Sequence, residues 1–325
     1  MKRCAFAAVA GLLLSILAAL PAFALDKVRV ILPVAGELPS MGILQIAKNL
    51  GYYKDEGIDV EFITGKGGVD AATQVGAGNG EFSAGIGDTS MIVRNNGVPV
   101  KGIILLGGGA LTVLSYRKDA GITTPRDLKG KAVSVIGFQD TTYYSFLGVL
   151  SSVGLTKNDV DIQALGPAGM TQFLLSGKVQ AMVSPPDFAV DVQLAGLATE
   201  IVPANRYTSS MAQAVLASDR VIKEKPDLAR RFTRATVKAF VQFREDPAGM
   251  AKAFVDAVPS QKANLVRVEK IFALYSQVTY NNQKIAGAFD PAVLRKVQDD
   301  YVAGNILRKA LPLEELYTNE FIPGK

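Results

Sequence analysis

Apolar residues along this chain fall into short runs, each closed by a glycine-bearing turn and followed by a longer segment with helical spacing. The pattern predicts strands at 27–32, 58–63 and 81–86, with helices over 41–50, from 69 and from 91. Gly51 ends the first helix, and the turns Gly65-Lys66-Gly67-Gly68 and Gly87-Asp88-Thr89-Ser90 separate the next two strands from their helices. Strand, turn and helix in alternation predict a parallel sheet with crossover helices.

After Pro99 come two apolar runs, 100–106 and 111–116, split by Gly107-Gly108-Gly109. The polar patch Arg117-Lys118-Asp119-Ala120-Gly121 predicts a crossing, after which the pattern begins afresh. A short helix at 123–128 leads to strands at 132–136, 161–164 and 181–184, each followed by a helix. One more strand at 213–218 precedes four helices at 226–244, 247–258, 264–280 and 291–303, several with proline near the start, where the missing N–H costs no bond. The expected fold class is therefore α/β: two lobes, each a mainly parallel sheet flanked by helices, joined by two crossings. Lobe 1 comprises 25–117 and 216–325, and lobe 2 comprises 118–215. The repeat lies in architecture and not in matched residues.

The N-terminus changes the picture of where this chain works. Lys2 and Arg3, an apolar stretch over 5–20 and Pro21-Ala22-Phe23-Ala24 form a secretory signal peptide, residues 1–24, with cleavage expected after Ala24. The single cysteine, Cys4, precedes the apolar stretch, so the mature protein is expected to carry neither lipid nor disulfide. A chain of this length buries enough core without covalent links. The formal charge of +5 loses two with Lys2 and Arg3, and no basic tract interleaved with aromatics suggests nucleic acid. The sequence contains no histidine, which removes the usual general base, the commonest metal ligand and the Ser-His and Cys-His nucleophile pairs. No catalytic residue, metal or cofactor is therefore expected.

One set of segments is specific when taken together. Ile46-Ala47-Lys48-Asn49-Leu50-Gly51-Tyr52-Tyr53-Lys54-Asp55-Glu56-Gly57-Ile58-Asp59-Val60 is followed by Gly67-Gly68, Gly85-Ile86-Gly87-Asp88, Gly97-Val98-Pro99-Val100-Lys101 and Leu128-Lys129-Gly130-Lys131. Over about residues 27–260 the chain resembles the nitrate/sulfonate/taurine solute-binding proteins of ABC importers, a family that also includes binders of thiamine pyrimidine precursors. That resemblance implies a type II periplasmic-binding-protein fold and a periplasmic, monomeric receptor. Its partners would be a small organic ligand (a sulfonate, a carboxylate or a related compound), an ABC permease and the ATPase behind it. Related folds also include a pyrimidine synthase that supplies its own histidine and needs iron, and a deaminase that anchors its cofactor on cysteine. Neither residue is available in the mature chain. A regulator's effector domain would need a DNA-binding segment where the signal peptide stands.

Open parallel sheets bind ligands beyond the carboxyl ends of their strands, beside helix N-termini whose free N–H groups favour an anion. The candidate ligand-binding residues on those loops are Pro39, Ser40, Lys66, Gly68, Asp88, Thr89, Phe138, Asp140, Thr141, Thr142, Tyr143, Pro186 and Asp187. Turn geometry is the competing role for Gly68, solvation for Lys66, and helix capping for Asp88, Asp140 and Asp187. If the three carboxylates do face the cleft, they suit a ligand with hydrogen-bond donors and make a poor pocket for nitrate. Phe138, Tyr143 or its neighbour Tyr144, and Phe188 could form an aromatic wall for a planar solute, with core packing as the competing role.

Overall fold

The computed structural model describes residues 24–324. The expected signal peptide, apart from Ala24, lies outside the described residues. Ten strands follow one another as β1 (Asp26–Leu32), β2 (Ile58–Thr64), β3 (Phe82–Ile86), β4 (Val100–Leu106), β5 (Val113–Arg117), β6 (Ala132–Val135), β7 (Asp161–Ala164), β8 (Ala181–Ser184), β9 (Thr199–Pro203) and β10 (Gln213–Ser218). They form two five-stranded sheets, ordered β2-β1-β3-β10-β4 and β7-β6-β8-β5-β9.

The two orders are one pattern. In each sheet three neighbouring strands run parallel, and a reversed strand follows: β10 is antiparallel to β3 and β4, and β5 to β8 and β9. Each reversed strand is the first to enter its sheet after the chain crosses from the other lobe. Every residue of β3 and β10 is buried, as expected for central strands covered on both faces.

Sheet membership moves both crossings from their expected places. β5 pairs in the second sheet and all of β10 in the first, so the changes of lobe occupy 107–112 and 204–212, not the boundaries at 117/118 and 215/216. The glycine triplet is the reason for the first shift. Gly108, Gly109 and Ala110 donate their N–H groups to the carbonyls of Asn281, Thr279 and Val278, just past the helix Leu265–Val278. A Cβ on Gly109 would lie 2.0 Å from the Val278 oxygen, so only glycine lets the crossing lie this close. The polar patch at 117–121 is instead a surface turn on lobe 2, where Arg117 pairs with Asp119.

Helices of the tail complete lobe 1. Pro226–Glu245 inserts Phe232 between Tyr53 and Phe82, with ring centroids 4.8 and 4.2 Å away. Among the elements that escaped the sequence pattern are the short α-helices Tyr52–Asp55, Asp219–Glu224 and Leu313–Leu316, and β9. β9 ends in Pro203 and lies at the sheet edge, where a missing donor is tolerated.

Candidate functional site

The loops at the carboxyl ends of the strands meet along a seam between the lobes. Gly67 and Gly68, at the start of the helix Gly68–Gly76, press against the turn 139–141 of lobe 2. Across this contact Val69 N–H donates to the Gln139 carbonyl at 3.0 Å. A Cβ on Gly67 would fall 2.6 Å from the Gln139 oxygen, and one on Gly68 2.8 Å from Thr141 Oγ1. A second contact joins the helices Leu265–Val278 and Pro186–Leu194, where Arg267 grips Asp191 through Nε at 2.6 Å and Nη2 at 2.7 Å. Ser145 and Ser210 share a third, at 3.2 Å.

Three carboxyl groups are buried along this seam, each at a strand-to-helix junction. Asp140 caps the helix Thr141–Ser152, accepting from Thr142 N–H at 3.0 Å and from the Thr142 hydroxyl at 2.5 Å. Burial nevertheless pushes its carboxyl above the usual range. Asp88 precedes the helix Thr89–Arg94 but forms no side-chain cap. Its Oδ2 accepts from the Tyr301 hydroxyl at 2.5 Å, while Oδ1 has no partner. Burial raises Asp88 to about 6 against the opposing Tyr301 bond, and the charge of Asp140 adds to the rise. Asp187, in the first turn of Pro186–Leu194, receives the Tyr275 hydroxyl at 3.4 Å and is likewise raised to about 6 by burial.

Beside Asp140 lies a cavity of about 20 Å³, lined among others by Pro33, Ser40, Gly85, Asp140, Thr142 and Gln213. It has room for about one water molecule, so any larger solute requires the lobes to part. Gln213 closes its floor, donating to the Ser40 carbonyl at 2.8 Å and accepting from Tyr280 at 2.9 Å. A wider groove of about 730 Å³ lies beside the crossing at 205–210, lined by Gly148, Ser151 and Ser152 of lobe 2 and by Ala292, Lys296 and Asp300 of the helix Pro291–Ala303. It lies apart from the three carboxyls.

The NMT1/THI5 like family model matches residues 39–250. The chain belongs to that family. A riboflavin-binding protein, RibY, from Chloroflexus aurantiacus is 23% identical over 290 residues, 86% of this chain and 81% of the relative. A 4-amino-5-hydroxymethyl-2-methylpyrimidine phosphate synthase from Aspergillus parasiticus is 25% identical over 263 residues, 72% of each chain. Among solved structures, the alkanesulfonate-binding protein SsuA from Xanthomonas axonopodis pv. citri, bound to MOPS, superposes with a TM-score of 0.72 at 15% identity. It covers 90% of this chain and 99% of its own. The two-lobed periplasmic-binding-protein fold is thus shared across the NMT1/THI5-like chain and this neighbour.

Of the candidates named from sequence, Pro39, Ser40, Gly68, Asp88, Thr89, Asp140, Thr141, Thr142, Pro186 and Asp187 are all buried, and Ser40, Asp140, Thr141 and Thr142 line the small cavity. Lys66 stands apart: it is exposed, its own N–H satisfied by Asp70. The expected aromatic wall does not form. Phe138 is 52% exposed and stacks edge-on with Tyr143 at a surface groove bordered by Lys157 and Asn158. The turn 137–140 aims Asp140 inward and so turns Phe138 out, while Phe188 packs in the lobe 2 core. Sequence reasoning missed Gln213, Arg267, Tyr275, Tyr280 and Tyr301. The last three carry helical spacing that reads as core, and only tertiary placement shows their hydroxyls reaching the seam.

Proposed function

We propose that this chain is the periplasmic substrate-binding component of an ABC importer. It parts and closes its two lobes around a small organic solute and hands the closed complex to a membrane permease and its ATPase, with no chemistry of its own. The observation that carries this reading is the pair of same-plan lobes whose strand-end loops face one another across a buried polar seam, joined by two short crossings. Such a seam can exchange protein–protein contacts for protein–solute contacts by rotation about residues 107–112 and 204–212. The monomer, exported and freed of residues 1–24, would present one cleft to one permease. Candidate contacts are Ser40, Gly68, Asp88, Thr89, Asp140, Thr141, Thr142 and Asp187, together with Gln213.

The pyrimidine phosphate synthase relative makes an enzyme the alternative. A chain without histidine, and without cysteine beyond residue 4, offers that chemistry only lysine, tyrosine, hydroxyl and carboxyl groups. A thermal-shift screen of residues 25–325 against sulfonates, carboxylates, amines and aminopyrimidines separates the two. A solute bound only by the folded state at about 100 times its dissociation constant adds roughly 2.7 kcal/mol. Stabilisation by several degrees with the solute recovered unchanged is the expected result, and turnover of the solute would contradict it.

A further inference from the structure

Helix N-termini at the ends of parallel strands are the natural seats of anionic ligands. In this seam the protein's own carboxylates already sit there. Asp140 occupies the N-terminus of Thr141–Ser152 through Thr142 N–H and also meets the backbone of Gly68 across the seam. Asp187 fills the first turn of Pro186–Leu194, and Asp88 the start of Thr89–Arg94. An anionic solute would meet three buried acids where it would otherwise find free N–H groups.

Among the described residues, none placed on these walls is a free cation. Arg267 reaches the seam but is held by both oxygens of Asp191, Lys66 is exposed, and Glu37 on the facing loop is a further exposed acid, bonded to Ser260. Among the described residues, Asp88 Oδ1 is buried without a partner, while Ser40, on the wall of the small cavity, lies against Asp187 and Tyr275. A buried acceptor with nothing to accept from is costly, and an ionised one more so.

We propose that the solute carries a positively charged nitrogen, an ammonium or amidinium group, which Asp88 and Asp187 receive while Asp140 holds the closing turn. This rests on the receptor reading and narrows its ligand class: the cation supplies the donor that Asp88 Oδ1 lacks, and its charge balances the seam. Sulfonates and carboxylates that carry no such nitrogen are disfavoured for the complementary reason.

The test uses probes matched in skeleton and opposite in charge. Benzylamine, benzamidine, putrescine and agmatine are compared with benzoate and benzenesulfonate by thermal shift and calorimetry on residues 25–325 at pH 7.5. At least one cation raises the melting temperature by several degrees and no anion does. Asp88→Asn and Asp187→Asn each weaken that cation tenfold or more while melting no lower than the unmodified protein, so the loss is one of binding and not of folding. Asp161→Asn, on the exposed edge of lobe 2, changes nothing. Stabilisation by an anion, undiminished in Asp88→Asn, overturns the assignment and leaves the receptor reading standing. If no probe of either charge shifts melting, the assignment falls and the receptor reading loses its support with it.

Discussion

The two lobes share one strand order but not one thickness. Lobe 2 closes its core with residues drawn from 114–204, chiefly Leu114, Tyr116, Val133, Phe146, Leu150 and Val183. Lobe 1 receives the whole C-terminal tail, and Phe232, Phe240, Phe243, Phe254 and Phe272 are essentially inaccessible to solvent. The tail does more than thicken a core. It carries Tyr275, Tyr280 and Tyr301 to the seam, so the tyrosine hydroxyls that meet Asp88, Asp187 and Gln213 all come from lobe 1. Lobe 2 contributes two of the three carboxyls, Asp140 and Asp187. A repeated plan thus gains its polar seam through what is added to one copy.

The sharpest way to break this comparison is to thin lobe 1. Phe232→Ala removes a ring stacked on two others and should cost about 3–5 kcal/mol in chemical denaturation. A loss below about 1 kcal/mol would mean the tail is not the stabilising layer described.

The next effect is electrostatic. Asp88 and Asp187 have folded values near 6, above the 3.8 of a free carboxyl, so the folded state holds more protons between about pH 4 and pH 6. Their contribution is therefore most favourable below that window and is lost as pH rises through it, by roughly 3 kcal/mol for each group. Asp88→Asn removes one such titration: without solute it should match the unmodified protein near pH 4 and exceed it at pH 8. Equal stabilities at pH 8 would show that Asp88 is not held as a buried, under-satisfied acid.

Gly68→Ala then tests the seam itself. Its Cβ would clash with Thr141 Oγ1, and overpacking of this kind costs about 1–3 kcal/mol, all of it against the closed arrangement. Small-angle scattering should report a larger radius of gyration for the variant with its melting temperature little changed. The smallest effect belongs to Arg267→Ala. That pair is partly exposed, with side chains 23% and 27% accessible, so about 1 kcal/mol or less is expected, shrinking further in high salt.

Much of this architecture was legible because burial leaves a period in the sequence. The strands at 161–164, 181–184 and 213–218 and the helix at 291–303 fall where apolar spacing predicts them. The crossings did not, because a glycine triplet signals a tight approach without naming the partner, and Val278 to Asn281 lie about 170 residues further along the chain. The acids of the site were visible as strand-end residues. Their donors were not: a tyrosine whose ring packs in a core and whose hydroxyl reaches a cleft has the same spacing as one that does neither. Phe138 and Asp140 illustrate the remaining limit, since two residues apart on a turn decides which side chain faces inward.

The central claim is that the lobes part and close around a solute, and inter-lobe distance tests it most directly. The described chain contains no cysteine, so Glu61→Cys on β2 and Lys157→Cys on lobe 2, both exposed, accept a donor and acceptor dye without further changes. Single-molecule energy transfer should show two populations without solute, collapsing to the shorter distance as a stabilising solute is added. A single distance that stays fixed while calorimetry records binding would contradict the account.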